Sequence, residues 1–172
     1  MMSDLEITFL DQIVKLSIEP LYLRPAAILV RDGNPKHIKG FKDLANSNIK
    51  VLVTHGAGQV GMWEDIAGRT GTIQLTQDFR KNIALYAQNT GLAKKAWEED
   101  KSYDAWLVFN IWGVNNPNIG QIVPIERDLV IYRDMGVALT ERGEKNSETQ
   151  KFIDFLKSSE GLVIFKKFGW SK

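Results

Sequence analysis

The sequence predicts an α/β fold with largely parallel strand pairing, and three observations carry that prediction. Short apolar runs rich in β-branched residues (Ile28-Leu29-Val30, Val51-Leu52-Val53-Thr54, Leu107-Val108-Phe109) alternate with stretches whose apolar residues recur every three to four positions. Serine, threonine, asparagine and glycine punctuate the joints between them. With 172 residues, 44% of them hydrophobic, the chain suffices for one compact domain or two small lobes.

From the N-terminus, Ser3-Asp4-Leu5-Glu6 reads as a capping box, and Leu5, Phe9, Ile13 and Leu16 follow at helical spacing. Pro25 leads into a strand over 26–31, and Asp32-Gly33-Asn34-Pro35 is a turn. A short helix is expected over 41–45 and a buried strand over 50–54. The helix after Gly61 is expected to be brief, because Gly68 and Gly71 interrupt it. Thr76 then caps a helix with Phe79, Ile83 and Tyr86 on one face. A helix over 91–101 buries Leu92, Ala96 and Trp97. Residues 105–109 read as a central strand, and Asn115-Asn116-Pro117-Asn118 as a loop. Residues 129–132 and 136–140 form two halves of one strand region, broken at Arg133-Asp134. Ser147-Glu148-Thr149-Gln150 is a second capping box, before a helix lined by Phe152, Phe155 and Leu156. Ser159-Glu160-Gly161 precedes a last helix carrying Val163, Ile164 and Phe168.

Composition narrows the function classes. The chain carries 22 basic and 21 acidic residues, a formal net charge of +1, which argues against a general nucleic-acid or polyanion binder. It has no cysteine, so disulfides, thiolate catalysis and cysteine–zinc sites are excluded. No residue set points to a metal or a cofactor. No apolar stretch is long enough to span a membrane. Residues 1–6 lack the charged-then-apolar pattern of an export signal.

Residues 50–68, KVLVTHGAGQVGMWEDIAG, carry the most functional information. An apolar run ends in Gly56-Ala57-Gly58-Gln59-Val60-Gly61 and passes into a helix. Glycines free the backbone there, and N–H groups opening a helix attract an anion. Ala57, Gly58 and Gln59 are candidate backbone donors to an oxyanion or carboxylate; the same residues also make a plain strand-to-helix turn. The pattern is equally the G-x-G-x-x-G of a dinucleotide site, in which Asp78 would meet the ribose of a nucleotide-dependent oxidoreductase. That reading needs a long helix after the loop, which Gly68 cuts short, and places Asp78 at a strand end, whereas Thr76 starts a helix there. Glu64 and Asp65 suit the first turn of a helix but would compete with an anion unless they point away.

Three further residues stand out. Asn110 ends an apolar strand beside Trp112, where open α/β sheets place ligands or where an amide simply caps the strand. Tyr132 offers a phenol that donates without bringing charge, or packs as a strand tyrosine. His55 precedes the glycine loop; facing a ligand, its protonation would strengthen anion binding below about pH 6.5. Catalysis finds no support: the other histidine, His37, lies in a turn, and Ser158-Ser159 belongs to a helix junction.

Four segments resemble one family. Residues 22–31 (YLRPAAILVR) with 33–44 (GNPKHIKGFKDL) are similar to the crossover strand and turn of type 2 periplasmic solute-binding proteins, nearest the molybdate/sulfate branch. The Gly56-Ala57-Gly58-Gln59 loop with Trp63-Glu64-Asp65, and residues 132–140 (YRDMGVALT), resemble the accessory colonization factor subgroup. Residues 155–161 (FLKSSEG), ending in FKKFGW at 165–170, resemble the family's C-terminus.

The resemblance implies two lobes joined by crossover strands, with lobe two at 33–128 and lobe one at 1–32 and 129–172. It implies capture of a small anionic or organic solute between the lobes, delivery to the membrane permease of an ABC-type uptake system, a periplasmic location, and no covalent chemistry. Tyr132 matches the position where the molybdate branch sets a tyrosine against its ligand. The family's signal peptide and first β-α-β portion have no counterpart here, so Met1 falls well inside lobe one and lobe one is expected to be incomplete. The exposed edge this leaves predicts a homo-oligomer.

Overall fold

A computed structural model describes residues 2–9, 11–56 and 58–172. The chain divides into two compact units, Met1–Arg24 with Arg133–Lys172, and Pro25–Tyr132.

The unit Pro25–Tyr132 is built on strands β1 (Glu19–Val30, entering from the other unit), β2 (Val51–Thr54), β3 (Ile83–Ala87), β4 (Ala105–Phe109) and β5 (Gln121–Pro124). Among the described residues the sheet order is β3-β2-β4-β1-β5. β2 pairs in parallel with β3 and β4, while β1 runs antiparallel to β4 and β5. The sheet is therefore mixed, where mostly parallel pairing was expected. The parallel part is joined by α2 (Met62–Arg69) with α3 (Ile73–Asn82), and by α4 (Thr90–Glu99).

Strand geometry divides the core in two. Alternate residues of a strand face opposite sides of its sheet. Ala26, Ile28, Val30, Val51, Val53, Leu107 and Phe109 face one side, where Phe41, Met62, Trp63, Ile66 and Phe79 cover them. Leu29, Leu52, Trp106 and Val108 face the other, under Ala93 and Trp97 of α4. Both faces being covered explains why these strands read as continuous apolar runs. Aromatic contacts organise each side: Phe79 stacks between Phe41 (4.7 Å) and Trp63 (5.3 Å), and Trp106 lies tilted 6.4 Å from Trp97 and 6.0 Å from Trp112.

Several expectations are corrected in this unit. Ile83 and Tyr86 lie on β3, not on a helix. Asn82 ends α3 by donating its side-chain amide to the carbonyls of Leu44 (2.8 Å) and Asn46 (2.6 Å), and the chain turns directly into a strand. The start of α3 is Thr72, so Thr76 sits within the helix. α2 runs through Gly68, and the turn beyond it uses Gly71. In α4, Thr90, Ala93 and Trp97 are buried and Leu92 is exposed; Asn89 caps the helix by accepting from the Leu92 N–H at 2.9 Å. Residues 129–131 are not strand, because the N–H groups of Leu129 and Val130 both bond the Glu126 carbonyl in a turn.

The other unit holds α1 (Met2–Thr8), the first part of β1, β6 (Tyr132–Val137), α6 (Glu141–Glu144), α7 (Ser147–Lys157) and α8 (Ser159–Lys167), numbering the short helix Ile111–Asn115 as α5. α1 begins at Met2 and ends well short of Leu16, which is fully exposed at positive φ. β6 runs unbroken through Arg133-Asp134 and pairs with β1. Asn146, one residue before the expected cap, accepts from the Glu148 N–H and starts α7. Ile153 is the buried residue of α7, whereas Phe152, Phe155, Val163, Ile164 and Phe168 are exposed. Tyr22 stacks on Phe165 at 4.0 Å and donates its hydroxyl to the Leu156 carbonyl.

Candidate functional site

The strand registers put the chemistry at one edge of the sheet in Pro25–Tyr132. Thr54 pairs with Ala87, so β2 and β3 end together and release His55 and Gln88 side by side. β4 ends at Phe109, opposite Ala26, where antiparallel β1 enters the unit. β5 ends at Pro124, opposite Ala27. The carboxyl ends of four strands thus share an edge with the Pro25-Ala26 entry, the position at which open α/β sheets hold ligands.

Asn110 and Tyr132 come together at this edge. The Asn110 N–H donates to the Pro25 carbonyl at 3.0 Å, and the Ala26 N–H donates to the carbonyl of Ile131, next to Tyr132, at 2.9 Å. Both side chains line a hollow of about 370 Å³ with Arg127, Ile122, Pro124 and Val130 among its walls. An amide, a phenol and a guanidinium against apolar walls are what a small anionic organic molecule requires. Arg127 is absent from the residues the sequence singled out. Its signal was Pro124-Ile125-Glu126-Arg127 following a strand end, and β5 is too short and too exposed to read as a strand.

The glycine loop lies along the same edge, above β2. Ala57 lies outside the described residues. Gly58 has φ +77°, and Gly61 starts α2 in the left-handed region at φ +71°, a conformation glycine adopts without steric cost. Gln59 is 2% exposed. Its N–H donates to the Gly56 carbonyl at 2.9 Å, and its side-chain amide donates to the Thr90 hydroxyl at 2.9 Å, at the start of α4. Gln59 therefore ties two strand-to-helix turns together, with its N–H engaged inside the loop. Gly56 abuts Gln88: a Cβ on it would lie 2.3 Å from the Gln88 carbonyl oxygen.

His55 lines a different hollow, of about 350 Å³, with Glu64, Arg80, Tyr86 and Gln88. Glu64 thus faces a concave surface, but one that also holds Arg80. Asp78, the acid a dinucleotide site would need, is on α3 and accepts from Lys81 (2.7 Å) and Gln74 (2.8 Å). Those hydrogen bonds hold its carboxyl below the usual carboxylate range. The helix after the glycine loop has only 8 residues. The loop keeps the glycine pattern of a dinucleotide site without its ribose acid at a strand end.

A family model described as bacterial extracellular solute-binding protein matches residues 5–171. Among solved structures, PEB3 bound to L-phospholactate is 42% identical over 98% of this chain and 74% of that chain, with a TM-score of 0.89. PEB3 from Campylobacter jejuni matches over the same shares at 42% identity and a TM-score of 0.87. The Azotobacter vinelandii periplasmic molybdate-binding protein shares the fold, at 13% identity over 99% of this chain and 74% of that chain and a TM-score of 0.64. The comparison with curated proteins returns no match.

Proposed function

Because the chain belongs to the bacterial extracellular solute-binding proteins, we propose that it captures a small anionic organic solute at the hollow lined by Asn110, Arg127 and Tyr132. The fold is that of the type 2 periplasmic binding proteins, and the family is one of binding proteins. The observation that carries the reading is the meeting of these three side chains at the carboxyl ends of the strands. In this reading Arg127 supplies charge, Asn110 and Tyr132 fix orientation, and the walls of Ile122, Pro124 and Val130 accept a carbon skeleton. The backbone of Gly58, with Gln59 as its strut, supplies a further donor along the same edge. PEB3, at 42% identity, has been solved with L-phospholactate, and this supports a ligand class combining an acidic group with a short carbon chain. A periplasmic working location and handover to an ABC-type membrane permease belong to the same proposal. So does a homo-oligomer, supported by the exposed Phe152 and Val163; a monomer in light scattering refutes that part.

The test is a thermal-shift and calorimetric panel of L-phospholactate, small carboxylates, phosphate, sulfate, molybdate and NAD(P)H. A ligand at about a hundred times its dissociation constant adds about 2.7 kcal/mol. The expected result is stabilisation by an organic anion, weakened roughly tenfold or more in Arg127→Ala. A response to NAD(P)H alone, or none to any anion, overturns the reading. Run at two pH values with His55→Gln beside the native chain, the same panel shows whether acid tightens binding through that imidazole.

A further inference from the structure

We propose that Glu126 is a positioning residue for anion binding, holding Arg127 at the rim of the hollow lined by Asn110 and Tyr132. The inference rests on the solute-binding reading above.

Glu126 precedes Arg127 in the chain, yet its side chain is engaged elsewhere. One carboxylate oxygen accepts from the Phe41 N–H at 2.7 Å and the other from the Lys42 N–H at 3.2 Å. These residues open the short 3-10 helix Lys42–Ala45. The cradle extends one residue further back: a Cβ on Gly40 would lie 2.5–2.7 Å from the carboxylate atoms of Glu126. The backbone of Glu126 closes a second constraint, its carbonyl accepting from the N–H groups of Leu129 and Val130, both at 2.9 Å. One residue therefore clamps the segment to 40–42 and bends the chain that carries Ile125, Arg127 and Val130, three residues of the hollow.

The charges fit the same role. A carboxylate beside an anion site repels the ligand if it faces it. Here two backbone N–H groups offset the Glu126 charge on the side of 40–42, and Arg127 is the charged side chain that lines the hollow. The anchor also limits the freedom of the arginine backbone, which lowers the entropy lost when a ligand orders the side chain.

The experiment measures L-phospholactate binding by calorimetry, well below the melting point of each variant. It compares the native chain with Glu126→Gln, Gly40→Ala and Arg127→Ala, and with the first two combined with Arg127→Ala. Gly40→Ala displaces the carboxylate without altering it, and Glu126→Gln keeps the volume and one acceptor, so the proposal does not hang on one variant that unfolds. Each single change at Glu126 or Gly40 is expected to weaken binding roughly tenfold, and to weaken it no further once Arg127 is alanine. If either change lowers the melting point and leaves affinity untouched, or costs the same with and without Arg127, Glu126 only braces the fold and the proposal falls. If Arg127→Ala binds as the native chain does, or the native chain binds neither L-phospholactate nor any other anion of the panel, the solute-binding reading at this hollow fails first and the proposal with it.

Discussion

Arg31 shows how much one side chain can settle. Its guanidinium lies 3.4 Å from the centre of the Trp97 ring. It donates to the carbonyls of Tyr103 (2.8 Å), Trp97 (3.0 Å) and Asp100 (2.8 Å). Those carbonyls belong to the end of α4 and the turn into β4, so the residue that follows β1 fixes how the helix leaves the sheet. Burial lowers its pKa, with Asp100 and Asp104 acting against that, and an arginine so placed stays charged at working pH. A lysine cannot reproduce the planar fork. Arg31→Lys is expected to lose about 1–3 kcal/mol of stability, read as a lower urea midpoint with unchanged slope. A midpoint equal to the native one would show that the carbonyls find other donors.

At the scale of the element, the proposed site depends on strand ends packed closely enough to put their turns in contact. Gly56→Ala forces a methyl against the Gln88 carbonyl. It is expected to cost about 1–3 kcal/mol and to weaken ligand binding, because the turns after β2 and β3 must part; equal stability and affinity would show that the edge is pliant. The elements legible in the sequence were those with a strong local signal. β2 and β4 are buried on both faces and read as unbroken apolar runs, and Asn110 followed from recognising where β4 stops. β3 was hidden because Phe79, Ile83 and Tyr86 are spaced four and three apart, as on a helix. Only the long-range bonds of Asn82 to Leu44 and Asn46 reveal that the helix has ended. The same limit applied to Arg127 and to the anchoring of Gln59. Gln59 bonds Thr90 across two helices and a strand, and Arg127 meets residues as distant as Pro25, and no window of sequence shows which turns meet.

At the scale of the molecule, the two buried clusters draw all their members from the continuous stretch Pro25–Tyr132. That stretch also holds every residue lining the Asn110–Arg127–Tyr132 hollow. A fragment of residues 25–132 is therefore expected to fold alone, with a cooperative urea transition and near-ultraviolet signals from Trp97 and Trp106. A fragment with helical signal but no cooperative transition would refute its independence. The other unit joins two segments far apart in sequence: Leu23 bridges Ser171, and Ile13 bridges Thr140. A ribosome delivers the first of these segments long before the second. Residues 1–24 must wait for 133–172, and the chain entropy of that wait would be large if everything between were uncoiled. Once Pro25–Tyr132 has folded, however, its first and last residues line one hollow. The long loop is then closed in advance, and the late segment arrives beside its partner. The edge that carries the proposed site is thus expected to order the folding, the inserted unit forming first and the flanking unit closing last.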